Sequence, residues 1–281
     1  MYICNVLYIR DTVSMPITTK VKPKKALGQH FLTDMSIASR IAMTLDDYVS
    51  LPVMEVGPGM GVLTRFLLDR GHDITVAEID TESVAYLLAN FEALEGRIIE
   101  GDFLQLDLRE LYGGRQCCVI GNYPYNISSQ IFFHILEHKD VVTCCSGMLQ
   151  REVAERIAAR AGTKARGILS VLLQAWYDVE YLFTVSEGVF NPPPKVKSGV
   201  IRLTRNSVTD IGCDAALFKT VVKTTFGQRR KTLRNTVKSL LPAGASLPTD
   251  NRLLSLRPEQ LTVEQFIELT NLVSTLREST R

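Results

Sequence analysis

Strand-like and helix-like stretches alternate along most of this chain, and that alternation constrains the fold more than any other feature. Val53–Val56 reads as a buried strand, and residues 74–77, 97–100, 116–120 and 144–149 repeat the pattern. Helical patterns separate them: Leu63, Phe66 and Leu67 share a face, a stretch covers 81–93, and Ile131, Phe132 and Ile135 mark another. Residues 151–160 and 168–176 extend the series. Such regular alternation predicts a parallel sheet with helices on both faces. Two closing strands, 179–185 and 199–203, flank Pro192-Pro193-Pro194 and can add an antiparallel edge. Beyond Arg205 only helical periodicity remains, as in Leu233, Val237, Leu240 and Leu241. The expected fold is α/β. A Rossmann-like sheet domain covers 1–205, with 1–20 as a loose arm, and a small all-helical domain covers 206–281.

Composition decides less. An apolar share of 46% with 22% charged residues excludes a disordered chain. The net charge is only +2, so a surface for an acidic partner must come from clustering. Cys117-Cys118 and Cys144-Cys145 lie in apolar runs without the Cys-x-x-Cys spacing of a zinc site. They read as reduced core thiols, and no metal is expected. His134 and His138 could pair on a metal, but no third ligand is evident, so surface histidines are expected. Free thiols point to a reducing, cytoplasmic compartment. No stretch approaches the roughly 20 apolar residues of a membrane span. Residues 1–15 lack the basic start and cleavage pattern of a signal peptide. They read as an arm, or as sequence upstream of a true start at Met15.

Val53–Val56 runs straight into Gly57-Pro58-Gly59-Met60-Gly61 and a helix start. Glycines let a backbone approach a ligand where any side chain would intrude. Glu78 ends the next strand, where an acid can accept both hydroxyls of a ribose. Asp102 follows the third strand and can meet an adenine edge. Dinucleotide enzymes prefer G-x-G-x-x-G, whereas Val62 stands here where the last glycine would be. Glu55, just before the turn, could instead face the ammonium of a methionine moiety. Gly57, Gly59, Glu78 and Asp102, followed by Asn122, point to S-adenosylmethionine as cofactor.

Asn122-Tyr123-Pro124-Tyr125 follows the fourth strand. Asn-x-Pro is also ordinary turn chemistry. Downstream of a nucleotide signal, it delivers an amide, a rigid proline and aromatic rings to one spot. The exocyclic amine of a nucleobase is a poor nucleophile because its lone pair is delocalised into the ring. Acceptors for both amine hydrogens favour a pyramidal nitrogen and free that lone pair. The Asn122 side-chain oxygen and the Pro124 backbone carbonyl are expected to be those acceptors, with Tyr125 stacking on the base. No strong base is needed, since the methylated ammonium is itself acidic.

Six blocks in order resemble the ribosomal RNA small-subunit adenine dimethyltransferase family (KsgA type). They are Leu27-Gly28-Gln29-His30-Phe31-Leu32, Glu55-Val56-Gly57-Pro58-Gly59, and Gly121-Asn122-Tyr123-Pro124-Tyr125-Asn126-Ile127-Ser128. Met148-Leu149-Gln150-Arg151-Glu152-Val153 and Phe190-Asn191-Pro192-Pro193-Pro194-Lys195-Val196 follow, then Phe226-Gly227-Gln228-Arg229-Arg230-Lys231-Thr232-Leu233-Arg234-Asn235. The resemblance runs from about Lys24 to the C-terminus. It implies a methyltransferase sheet with a small helical RNA-binding domain. It also implies dimethylation of the exocyclic amine of two adjacent adenosines near the 3′ end of small-subunit ribosomal RNA. By the same resemblance Gln29, His30, Leu32, Gly57, Glu78, Asp102 and Asn122 match cofactor contacts, and Phe190 is a second stacking face. Two positions depart: Tyr123 replaces the usual Leu, and His30 the usual Asn. Both keep the expected backbone contacts and change side-chain packing around the target base, not the chemistry.

Residues 215–249 hold seven basic residues and no acid: Lys219, Lys223, Arg229, Arg230, Lys231, Arg234 and Lys238. Arg230, Arg234 and Lys238 are expected on one helical stripe that contacts phosphates. Lys195 and Lys197 beside the pocket extend it, and Lys20, Lys22, Lys24 and Lys25 could act likewise. The expected partner is small-subunit ribosomal RNA within an immature subunit, met by a monomer. Three other readings stay open. One is a large-subunit RNA methylase conferring antibiotic resistance, against which the 228–235 block argues. The others are an assembly factor with little catalysis and, more distantly, a nicotinamide dehydrogenase.

Overall fold

The computed structural model describes residues 21–279; the expected arm over 1–20, with Lys20, lies outside them. In chain order the elements are β1 (Phe31–Leu32), α1 (Met35–Ala42), β2 (Val53–Val56), α2 (Val62–Asp69), β3 (Ile74–Glu78), α3 (Thr81–Asn90) and β4 (Ile98–Glu100). Next come α4 (Leu108–Tyr112), β5 (Cys117–Asn122), α5 (Ser128–Glu137), β6 (Val142–Gln150), α6 (Arg151–Ile157) and α7 (Ile168–Gln174). The chain ends with β7 (Tyr177–Val185), β8 (Phe190–Asn191), β9 (Ser198–Arg205), α8 (Ala215–Gly227), α9 (Leu233–Thr236) and α10 (Val263–Glu278).

Seven strands form one sheet in the order β4-β3-β2-β5-β6-β9-β7, and β1 pairs with β8 in a separate ribbon. The first five sheet strands run parallel, and β9 returns antiparallel between β6 and β7. The winding reverses between β2 and β5, so their carboxyl ends form a switch point, the place where such sheets bind ligands. Covered on both faces, β2 apart from Glu55 and β5 as far as Ile120 are apolar runs. Cys117 and Val119 join one core cluster, while Cys118 and Ile120 join the other, as the pleat requires. Cys117, Cys118, Cys144 and Cys145 are free and buried. Asp34 starts α1 by accepting the N–H groups of Ser36 and Ile37, and Asp80 starts α3 by accepting that of Glu82. The first cluster continues through Ile135 and Val171 to Phe218, Val221, Phe266 and Leu269. The helices beyond β9 therefore share one core with the sheet.

Two expectations are corrected. Arg230, Arg234 and Lys238 do not share a helix, because α8 stops at Gly227 and only four residues form α9. Gln228 leaves helical geometry, its carbonyl takes the Lys231 N–H at 2.8 Å, and the Leu233 N–H is drawn to the Leu256 carbonyl. The bend lets Leu233 and Val237 reach the core. His134 and His138 are not surface residues: they are 8% and 6% exposed. A second covering element, the single turn Phe103–Gln105 before α4, seats the His134 ring edge-on to Phe103 at 5.0 Å. His138 Nδ1 lies 2.9 Å from the His134 carbonyl oxygen.

Candidate active site

The carboxyl ends of β2, β3 and β5 open onto a cavity of about 270 Å³. Gln29, His30, Leu32, Glu55, Gly57, Gly59, Glu78, Asp102, Asn122, Pro124 and Tyr125 all line it. Segments far apart in the chain thus meet where the winding reverses.

On the β2–β3 side the cavity carries two buried acids. Glu78 is 3% exposed, with Oε2 accepting the Gly59 N–H and Oε1 the Asp80 N–H, each at 3.0 Å. Burial pushes its carboxyl above the usual range, and each oxygen keeps a lone pair. Glu55 is 1% exposed, and its Oε2 has no hydrogen-bond partner. Burial pushes the Glu55 carboxyl up to about 8. A buried acceptor left unpaired inside a cavity wall suits a cationic ligand group. Gly57 has φ 65°, and a Cβ built there would meet no protein atom within 4 Å. Backbone cradle, strand-end acid and orphaned acid together fit S-adenosylmethionine. Asp102 Oδ1 accepts the Leu104 N–H at 2.9 Å, which fixes its carboxylate at the cavity rim.

On the β5 side, Asn122 Nδ2 donates to the His30 carbonyl oxygen at 2.9 Å. A carbonyl can only accept, so this bond settles which end of the amide is nitrogen. The Asn122 Oδ1 has no protein partner among the described residues and is not buried out of reach. The Pro124 carbonyl accepts the Ile127 N–H at a long 3.2 Å, which leaves its second lone pair free. Tyr125 shares a 2.5 Å hydrogen bond with Ser198 Oγ, and its ring lies 5.4 Å from that of His30.

Residues 24–33 cross the cavity as a strap. Lys24 is ion-paired with Asp80, and Gln29 bridges the Lys24 N–H at 2.7 Å and Asp80 Oδ2 at 3.3 Å. His30 Nδ1 donates to the Pro192 carbonyl at 2.8 Å, and β1 pairs with β8. Sequence reasoning missed Asp80, although an Asp directly before a helical run is a cap signal. Ser198 carried no signal, because it reaches Tyr125 from β9 only through the fold.

Other expected residues fall elsewhere. The structure does not place Phe190 as a stacking face on the cavity: it is 4% exposed, in the core cluster with Leu32, Ile41 and Val185. The β1–β8 pairing turns it inward. Lys195, Lys197, Arg230, Lys231 and Lys238 are exposed. Lys24 is held by acids, Arg229 lies against the Lys164 carbonyl and Glu259, and Arg234 donates to the Pro248 and Thr249 carbonyls.

A dinucleotide enzyme has no use for an amide loop beside its glycine turn. A methyltransferase acting on a planar base amine does, and that is the class this fold and cavity define. Known proteins narrow it. Residues 20–274 match the family model for ribosomal RNA adenine dimethylase. The chain is 67% identical over 253 residues to ribosomal RNA small subunit methyltransferase A of Parabacteroides distasonis, covering 89% of this chain and 93% of that protein. Its identity to the protein of that name from Porphyromonas gingivalis is 63% over 255 residues, covering 90% and 98%. A solved dimethyladenosine transferase from Plasmodium falciparum shares the fold, with a TM-score of 0.72 at 22% identity over 88% of this chain and 98% of that one. The solved 23S rRNA methyltransferase ErmE gives 0.59 at 27% identity, covering 87% and 99%. This chain belongs to the ribosomal RNA adenine dimethylase family. The methyl donor of that family is S-adenosylmethionine.

Proposed function

We propose that this protein dimethylates the exocyclic amine of two adjacent adenosines near the 3′ end of small-subunit ribosomal RNA, within an immature subunit. The observation that carries the reading is the Asn122 amide, whose nitrogen is committed to His30 and whose oxygen is left for an amine hydrogen. The names of the 67% and 63% identical relatives support small-subunit RNA as the substrate.

When bound, the cofactor supplies an electrophilic methyl group on a sulfonium. Glu78 would take the ribose hydroxyls on its remaining lone pairs, Glu55 would face the ammonium, and Asp102 would meet the adenine edge. Gln29, His30 and Leu32 cover them from the strap. Asn122 Oδ1 and the Pro124 carbonyl hold the amine hydrogens, so the nitrogen lone pair is aimed rather than delocalised. Positioning of this kind lowers the barrier without a side-chain base. The target base leaves its stack to reach the cavity, with Tyr125 as its platform. Lys195, Lys197, Arg230, Lys231 and Lys238 meet phosphates along the approach. Among the described residues no helix is long and apolar enough to cross a membrane. A reducing, cytoplasmic compartment accords with the buried free thiols.

The test is to incubate the protein with radiolabelled S-adenosylmethionine, immature small subunits lacking the modification and unmodified large-subunit RNA, then map the label. Label on two neighbouring adenosines near the 3′ end is expected. Label confined to large-subunit RNA would replace this reading with the resistance methylase, and cofactor binding without transfer would replace it with the assembly factor.

A further inference from the structure

Tyr123 lies between the two residues proposed to hold the amine, yet its side chain takes no part in that hold. It is 1% exposed, and its ring runs back over β5 and β6. The hydroxyl donates to the Ser146 carbonyl at 2.8 Å and lies 3.2 Å from Cys145 Sγ. The ring meets Phe132 edge-on at 5.6 Å. Two glycines make the slot. A Cβ at Gly147 would lie 2.6 Å from the ring and 2.4 Å from the Gly121 carbonyl oxygen, and one at Gly121 would lie 3.0 Å from the ring. A tyrosine fits here because both neighbours lack a side chain. The receiving strand is itself braced: Ser146 Oγ lies 2.7 Å from Thr44 Oγ1 and 3.1 Å from the Ile201 carbonyl oxygen.

We infer that Tyr123 is a positioning residue for methyl transfer, bolting the Asn122–Pro124 acceptor pair to β6. The bolt has two points, because the Tyr123 backbone N–H also donates to the Met148 carbonyl at 2.9 Å. With Asn122 Nδ2 on the His30 carbonyl, the acceptor pair is fixed from both sides. The inference rests on the reading that Asn122 and Pro124 hold the amine. Its consequence falls on the second transfer. An unmodified amine offers two N–H groups and can engage both acceptors. A monomethylated amine offers one, so its orientation depends more on how rigidly the remaining acceptor is held. The leucine usual in this family has no hydroxyl; here the space over Gly147 lets a ring reach Ser146.

Tyr123→Phe removes the hydroxyl and keeps the ring; Tyr123→Leu removes both. Single-turnover rates of the first and second transfer are measured on immature small subunits, with cofactor affinity, RNA affinity and melting temperature alongside. Tyr123→Phe should slow the second transfer roughly threefold to tenfold more than the first, the range set by one hydrogen bond. Monomethyladenosine should then accumulate while cofactor and RNA affinities stay within about twofold of wild type. Tyr123→Leu should show a larger imbalance. A folded Tyr123→Phe protein with the wild-type ratio of the two rates, or one changed only in melting temperature, overturns the inference. Wild-type protein that makes no dimethyladenosine removes the underlying reading, and this inference with it, before either variant is measured.

Discussion

The Gly59 backbone N–H donates to Glu78 Oε2 at 3.0 Å, so the acid at the end of one strand holds the glycine turn at the end of its neighbour. Cofactor shape and turn shape therefore depend on one carboxylate. Glu78→Gln places an NH₂ where one of two backbone N–H groups, of Gly59 or Asp80, now finds its acceptor. The substitution should cost about 1–3 kcal/mol of stability through one unsatisfied donor. It should also weaken cofactor binding at least about tenfold, since a ribose hydroxyl loses an acceptor. Thermal melts with and without cofactor check both; unchanged affinity would place the ribose elsewhere.

Glu55 predicts a proton release. Its carboxyl, pushed up to about 8 by burial, is mostly protonated at neutral pH in the free protein. A bound ammonium favours the carboxylate, so binding below pH 8 expels a proton. Affinity should rise with pH toward 8 by up to about tenfold per unit. Calorimetry at pH 7 in two buffers of different ionisation enthalpy should report close to one proton released, and none for Glu55→Gln. The sign for stability is opposite. Between the ordinary 4.5 and about 8 the folded chain keeps a proton that the unfolded chain has lost, so the ligand-free protein loses stability as pH rises.

Two glycines of one turn should fail differently. An alanine methyl at Gly57 meets only the open cavity, whereas at Gly61 it would lie 2.4 Å from the Phe91 ring. Both pay the left-handed backbone penalty of about 1–2 kcal/mol. Gly57→Ala should fold and lose cofactor affinity; Gly61→Ala should lose further stability from the displaced ring. A Gly57→Ala protein that binds cofactor normally would show that this stretch of backbone does not approach the ligand.

Val53–Val56, with Glu55 its one polar residue, and the run Cys117 to Ile120 were legible because a strand buried on both faces is almost wholly apolar. Glu55, Gly57, Glu78, Asp102 and Asn122 were legible because each sits at or beside a strand end. The β1–β8 ribbon was not, since each strand has two residues and a distant partner. That pairing also hid the burial of Phe190. Periodicity along α5 reported the apolar stripe but not the second element that covers His134. The break after Gly227 depends on Leu256, which draws the Leu233 N–H out of helical register.

That break divides the basic cluster. Arg230 and Lys231 are exposed, and among the described residues their side chains meet no partner, whereas Arg234 closes onto the Pro248 and Thr249 carbonyls. Replacing Arg230 and Lys231 together by Gln should weaken RNA binding and flatten its salt dependence by roughly 0.7–0.9 per charge. Arg234→Gln should instead lower the melting temperature. Salt titrations of RNA affinity that move equally in both variants would contradict this division.

The most direct measurement is nucleoside analysis of small-subunit RNA treated with S-adenosylmethionine and either wild-type protein or Asn122→Ala. Wild type should convert adenosine to dimethyladenosine. Asn122→Ala should do so at least about a hundredfold more slowly, the size expected for one preorganised polar contact, with RNA affinity retained. Dimethyladenosine formed at the wild-type rate by Asn122→Ala, or no methyl on an adenine amine from wild type, would contradict the account.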